Sequence, residues 1–234
     1  MHGIFEKLDF SSPTDAMIHE LVEKGLERYN YNEEWQPHIT AMVKNVLGTS
    51  LASRYGGFML GALGAKSWIT ELEFFFPLRF INSSLLGELL ESHGVLPCGI
   101  DLAQLAQSLQ FSPVKGMLMG FMDMVFEHNG LYYLLDWKSN HLGYTLDDYG
   151  QDGVTQAMQK NLYPLQYLLY TVALNRYLSL RVKNYTYSTH FGGVIYVFLR
   201  GASSTHGESR GFFRDLPAEG LVEALTHILI EHEG

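Results

Sequence analysis

Polar and apolar residues alternate with two different periods along this chain, and the changes of period mark out its elements. Ser12-Pro13-Thr-Asp15 is a good helix start, with Ser12 as cap and Pro13 in the first position, and Ile18, Leu21, Val22 and Leu26 follow at helical spacing. A second helix is predicted from about Glu33 through Leu47. Over Trp68-Ile-Thr-Glu71-Leu-Glu73-Phe-Phe-Phe-Pro-Leu78 the period drops to two, so that Glu71, Glu73 and Phe75 share a face of a strand ending near Pro77. Asn82-Ser83-Ser84 opens a short helix to about Ser92, and Asp101 starts another toward Gln110. A hairpin is expected over Val114 to Asn140. Beyond a polar loop, residues from Thr155 to Val182 read as helix restarted at Pro164, with Gln166 and Tyr170 stacked four apart on one face. His190 to Leu199 reads as a buried strand, Ala202 to Gly211 as a loop, and Ala218 to His232 as a terminal helix. This order predicts an α/β fold with a mixed β-sheet, a hairpin and flanking helices.

The hairpin carries the chemistry. Asn129-Gly130 suits a two-residue type I′ turn, because both positions need positive φ. If that turn closes the hairpin, His128 faces Leu131 and the pairing runs outward until Asp123 stands opposite Asp136. Such cross-strand carboxylates have Cβ atoms roughly 4.5–5.5 Å apart and destabilise the pair unless a cation compensates. Lys138 emerges on the same face as Asp136, two residues on. An Asp-x-Lys pair on a wet strand would be an ordinary surface ion pair. Here Leu131-Tyr-Tyr-Leu-Leu and Met122, Met124-Val-Phe are apolar on both faces, which makes this an interior strand pair, where unpaired carboxylates are costly.

Composition narrows the possibilities. The 234 residues are 47% hydrophobic and 18% charged, as in a folded protein with one sizeable core. No apolar run approaches the roughly 18 residues needed to span a bilayer, and no basic, then apolar leader is visible at the N-terminus, so no membrane partner and a cytoplasmic location are expected. Cys98 is the only cysteine, which excludes an intrachain disulfide and Cys₄ metal centres. Any metal must sit on oxygen and nitrogen. The net charge of −9 argues against autonomous DNA binding, since duplex affinity comes mainly from Lys and Arg on phosphates. A larger assembly that delivers the strand would remove that conflict.

Two carboxylates and a lysine can serve phosphodiester hydrolysis, which needs a cation to polarise the phosphoryl oxygen and acidify a water, and charge stabilisation at the reacting phosphorus. Hard carboxylate oxygens with water suit Mg²⁺.

The chain resembles the RecB-type nucleases of the PD-(D/E)xK superfamily, the C-terminal nuclease domain of the RecB subunits of RecBCD helicase–nucleases (exonuclease V). The resemblance rests on Val114-Lys-Gly-Met-Leu-Met-Gly-Phe-Met-Asp123, Tyr132-Tyr-Leu-Leu-Asp136-Trp-Lys138-Ser-Asn140, Tyr163-Pro-Leu-Gln166-Tyr-Leu-Leu-Tyr170, His190-Phe-Gly-Gly-Val-Ile-Tyr196 and Phe198-Leu-Arg-Gly201. It extends from His2 to the terminal helix. It implies a restriction-endonuclease-like core within one nuclease domain over 1–234: N-terminal helices over 1–50, the catalytic core over 66–200, and a loop and helix over 201–234.

The resemblance also implies roles. Asp123 and Asp136 match the metal-binding carboxylates, the Trp137 backbone carbonyl a further ligand, and His2 a metal-ligating histidine from an N-terminal helix. Lys138 matches the catalytic lysine. Glu71 matches an acidic position near the active site, and Gln166 with Tyr170 a Gln-x-x-x-Tyr motif beside it. The cofactor implied is Mg²⁺, with Ca²⁺ a candidate occupant that does not support cleavage. The partners implied are DNA, as single strands delivered by a helicase, and the other subunits of a RecBCD-like complex in double-strand break repair and recombination. Relatives with an iron–sulfur cluster need four cysteines, so this chain is not of that kind.

Two positions depart from the family's pattern. The histidine is residue 2 here, as in a domain excised from a longer chain, where a frayed end would ligate poorly. Trp137 replaces a tyrosine, with little effect expected on a backbone ligand. His93 and His141 have no metal-ligand spacing and read as surface residues. The rival to an enzyme is a catalytically silent nuclease fold that docks partner subunits, and the presence of Asp123, Asp136 and Lys138 together weighs against it. A free-standing phage or plasmid nuclease is a third possibility, against which the acidic charge weighs.

Overall fold

Side-chain oxygens of Thr14, Asn82 and Asp101 each turn back onto the first turn of a helix and set its start. The computed structural model describes residues 1–112 and 114–230. The chain begins with a single turn, α1 (His2–Phe5), followed by α2 (Asp15–Arg28). The cap of α2 is Thr14, whose hydroxyl accepts from the Met17 N–H at 3.2 Å, so the helix starts two residues later than Ser12-Pro13 suggested. A 3₁₀ turn over Glu33–Trp35 leads into α3 (Gln36–Gly48), and a small hairpin follows, β1 (Ser50–Leu51) with β2 (Phe58–Met59), which the sequence pattern did not announce.

The long strand β3 (Trp68–Ile81) passes through Pro77 instead of ending there. It is an edge strand, the position where a missing N–H is tolerated. Next come α4 (Ser83–Ser92), capped by Asn82, and α5 (Leu102–Gln107), capped by Asp101 and shorter than predicted. The predicted hairpin is β4 (Val114–His128) and β5 (Leu131–Lys138), turned at Asn129 (φ 52°) and Gly130 (φ 79°). The predicted long helix is two, α6 (Gln151–Lys160) and α7 (Tyr163–Arg181), broken at the left-handed Leu162 and restarted with Pro164 in its first turn. A further turn, α8 (Tyr187–His190), precedes β6 (Phe191–Phe198), and β7 (Phe212–Asp215) lies in the stretch between the expected loop and the terminal helix, to which no element was assigned. The terminal helix α9 (Glu219–Leu229) stops short of His232, which lies outside the described residues.

The main sheet has the order β3-β4-β5-β6-β7, antiparallel throughout except for the parallel pair β5–β6, whose crossover runs through α6 and α7. Helices cover both faces. Leu134, Val194 and Tyr196 join a core with α4, α5, α6, α7 and α9, while Tyr133, Leu135, Trp137 and Ile195 join a second core with α1, α2 and α3. This is a mixed α/β sandwich of the kind expected of a restriction-endonuclease-like fold. No helix among the described residues is long and apolar enough to cross a membrane.

β4 pairs with β5 only from the turn to Met124–Leu135. Beyond that point β4 continues with β3 alone, as a two-stranded ribbon from Leu72–Met122 to Ile81–Val114. One face of this ribbon, with Phe74, Phe76 and Leu78, is buried in the first core. The other is open, with Phe75 70% and Met119 65% exposed beside Met117 and Phe121.

Candidate active site

The site lies in the fork where β4 leaves β5. The register predicted from Asn129-Gly130 holds in every pair from His128–Leu131 to Met124–Leu135, with no bulge. It brings Asp123 level with Asp136, where the ladder has ended. Instead of a backbone carbonyl, the Asp123 carboxylate accepts the N–H of Trp137, at 2.8 Å to Oδ2. On the other side, the β3–β4 register leaves Glu71 facing Asp123 between the pairs Thr70–Met124 and Leu72–Met122. Glu71 is held at φ 51°, a left-handed conformation that non-glycine residues seldom adopt. The parallel register then sets Tyr196 against Asp136. One row across four strands thus reads Glu71, Asp123, Asp136, Tyr196.

α1 brings His2 to this row, and aromatic packing holds it there. The Phe5 ring stacks on the buried Trp137 indole at 4.2 Å, and Phe10 lies parallel to it at 6.4 Å. With the turn docked in this way, His2 Nε2 donates to the Trp137 carbonyl at 2.7 Å and lies 3.4 Å from Asp123 Oδ2. The first turn is thus docked on the sheet through both Phe5 and His2. The bond to Asp123 is the main cause that raises the His2 pKa, against the opposing effect of burial.

Asp136 is 3% exposed. Its Oδ1 forms an ion pair with the Lys138 ammonium and, among the described residues, takes no hydrogen bond besides. Burial, then the neighbouring Asp123 charge, pushes its pKa up to about 6, with Lys138 acting in the opposite direction. Burial and Asp123 also raise Glu71. The acidic row thus resists full ionisation unless positive charge is added.

Lys138 occupies a pocket of its own. Nζ donates to Gln166 Oε1 at 3.0 Å and lies over two rings, 4.0 Å from the centroid of Tyr163 and 4.9 Å from that of Tyr196. Gln166 Oε1 also accepts the Tyr196 hydroxyl at 3.1 Å, and Gln166 Nε2 donates to the Tyr170 hydroxyl at 3.1 Å. Tyr170 meets Phe74 edge-on, and burial raises its pKa. The Tyr163 hydroxyl donates to Asn140 Oδ1 at 3.2 Å, tying the start of α7 to the end of β5.

Among the described residues no three His, Cys, Asp or Glu side chains are gathered closely enough to hold a metal by themselves. The nearest set includes a backbone oxygen: His2 Nε2, Asp123 Oδ2 and the Trp137 carbonyl. Its separations of 2.7 and 3.4 Å bracket the about 3 Å expected between adjacent ligands of an octahedral ion with bonds of about 2.1 Å. Hard oxygens, an imidazole and a buried carboxylate that lacks full neutralisation fit a small divalent cation.

All eight residues expected from the sequence therefore lie at or beside one fork. Four contributors were missed. Tyr163 was legible as the residue three before Gln166 on the same helical face. Tyr196 needed the parallel pairing, Asn140 a contact across the crossover, and Phe5 the docking of α1.

No family model matches the chain. Among curated proteins it is 40% identical over 229 residues to the RecBCD enzyme subunit RecB of Escherichia coli K12, covering 97% of this chain and 18% of that subunit. The subunit of the same name from Haemophilus influenzae is 36% identical over 230 residues, with the same coverage. That from Mycobacterium tuberculosis H37Rv is 36% identical over 213 residues, 82% of this chain and 19% of the subunit. The chain therefore spans less than a fifth of the length of these relatives. Over nearly all its residues it belongs to the RecB family, as the counterpart of one portion of such a subunit.

Proposed function

We propose that this chain is a Mg²⁺-dependent deoxyribonuclease module that hydrolyses phosphodiester bonds in single-stranded DNA, as part of a RecBCD-type helicase–nuclease in double-strand break repair and recombination. The observation that carries the reading is the convergence of His2, Asp123 and the Trp137 carbonyl in one fork, with the buried Asp136–Lys138 pair beside them. Kinship with proteins named as RecBCD subunits supports the DNA substrate and the assembly.

Bound Mg²⁺ would supply Lewis acidity to the phosphoryl group and to the attacking water. Asp123, Asp136, the Trp137 carbonyl and His2 would hold it. The Lys138 ammonium positions the water and meets the negative charge that develops on the phosphoryl oxygens, while Gln166 fixes Nζ in place. Glu71, facing Asp123, adds a carboxylate on the open side of the row. Water attack at phosphorus with departure of the 3′ oxygen leaves a 5′-phosphate. With a net charge of −9 the module has little with which to grip a strand, so other subunits deliver the DNA to it.

The test is cleavage of labelled single-stranded DNA with Mg²⁺, Ca²⁺ or EDTA, comparing the chain with Asp136→Ala. Cutting that needs Mg²⁺, fails with Ca²⁺ and is lost in the variant supports the reading. No cutting by either protein, with no detectable Mg²⁺ binding, would replace it with a docking module.

A further inference from the structure

We infer that Tyr163 and Tyr196 are positioning residues for Lys138, two ring faces that keep its ammonium group at the site once Asp136 has turned its carboxylate to a cation. The inference rests on the nuclease reading above and concerns how that site stays assembled.

Asp136 cannot serve two cations equally. Among the described residues it is the one carboxylate paired with Lys138. When the same carboxylate binds a divalent ion, Lys138 loses most of its counter-charge and stands beside two further positive charges. A lysine with three rotatable donors on a flexible stem would then swing toward solvent. Among the described residues, what remains around Nζ is Gln166 Oε1 at 3.0 Å and the rings of Tyr163 at 4.0 Å and Tyr196 at 4.9 Å. Gln166 Oε1 is shared with the Tyr196 hydroxyl and is a neutral dipole. The negative faces of the two rings supply the rest of the attraction, and they need no charge that a metal would claim.

Both rings are fixed in a way that suits this role. Tyr196 is fully buried on β6 in direct register with Asp136, and its hydroxyl is anchored on Gln166. Tyr163 stands in the first turn of α7 with its hydroxyl on Asn140. The rings are 5.8 Å apart and inclined by 36°, two walls of a box that opens toward Nζ. Tyr196 also packs against Tyr167 and Phe213, so its loss would disturb the core. Tyr163 is the position to test.

The experiment compares Tyr163→Phe, which keeps the ring and gives up the bond to Asn140, with Tyr163→Leu, which gives up both. In protein carrying ¹³C-labelled lysine, the Lys138 Hε signals report ring currents and are assigned by their loss in Lys138→Arg. They are expected to be displaced upfield in the wild type and in Tyr163→Phe, with and without Mg²⁺, and to move to ordinary lysine positions in Tyr163→Leu. In parallel, kcat on single-stranded DNA should fall on the order of tenfold in Tyr163→Leu with little change in KM, and the ring in Tyr163→Phe should restore most of it. Loss of the upfield displacement when Mg²⁺ is added to the wild type overturns the inference and leaves the nuclease reading in place. So does a Tyr163→Leu protein that keeps both the displacement and kcat. A displaced signal in a wild-type protein that never cuts DNA overturns the nuclease reading, and the positioning role with it.

Discussion

The carboxylate of Asp123 accepts the backbone N–H of Trp137 at 2.8 Å, one residue pair beyond the last rung of the β4–β5 ladder at Met124–Leu135. A side chain thus takes over from the backbone at the point where the strands part. The same oxygen lies 3.4 Å from His2 Nε2. Strand termination and the candidate ligand set therefore depend on one carboxylate.

That double duty can be separated by substitution. Asp123→Ala leaves the Trp137 N–H without its acceptor and should cost about 1–3 kcal/mol of stability. Asp123→Asn keeps an oxygen in place and should cost less, yet both variants should lose Mg²⁺ affinity. Urea denaturation and titration calorimetry, run on both, check this. Equal stability for the two would show that the Trp137 bond contributes nothing.

Asp136 makes stability depend on pH with a sign that metal should reverse. Its pKa is raised to about 6 in the folded chain, above the unfolded carboxylate value. Its contribution to stability is thus fully present below the unfolded pKa and is lost as pH rises through about 6. The metal-free wild type should lose stability between about pH 4 and about pH 6 relative to Asp136→Asn, and saturating Mg²⁺ should turn that loss into a gain. Denaturation midpoints at the two pH values, with Mg²⁺ and with EDTA, are the measurement.

Phe5 supplies no ligand, but it should affect metal binding. Its ring holds α1 on Trp137 and so holds His2 in place. Phe5→Ala should cost about 3–5 kcal/mol of stability and weaken Mg²⁺ binding. His2→Ala should weaken binding to a similar degree with little loss of stability. Thermal melts beside calorimetric titrations distinguish the two. Unchanged Mg²⁺ affinity in a folded Phe5→Ala protein would remove His2 from the ligand set.

Glu71 pays for its place with a left-handed backbone. Glycine adopts that conformation freely, so Glu71→Gly should stabilise the fold by about 0.5–1 kcal/mol after its own entropy cost. Nuclease activity should fall at the same time, because the carboxylate facing Asp123 is gone. A variant that is both more stable and fully active would make Glu71 a bystander. The readouts are thermal midpoint and kcat.

Much of this arrangement was legible in the residues alone, and what was not has identifiable physical causes. Asn129-Gly130 determined the register that sets Asp123 level with Asp136, because a two-residue turn leaves no freedom in the pairing. Caps at Asn82 and Asp101 located two helices. Local pattern could not reveal that β4 would leave β5 after Met124, since both strands remain apolar across the fork. Nor could it place Tyr196 opposite Asp136, which requires β5 and β6 to run parallel. Pro77 misled because its cost depends on whether the strand is an edge, a property of the whole sheet. β7 was missed because Phe212-Phe-Arg-Asp215 is too short to establish a period.

The ribbon beyond the fork also has a mechanical consequence. From Met122 to Val114 the β3–β4 pair extends some eight residues, about 26 Å, without support from β5. Asp123 and Glu71 sit at its root while Asp136 stays with the body of the sheet, so the acidic row is divided between two parts of the fold. With Phe74, Phe76 and Leu78 seated in the first core, the far length of the ribbon is held by helices and not by β5. The gap between Asp123 and Asp136 is therefore set by how the ribbon packs on those helices as well as by strand pairing.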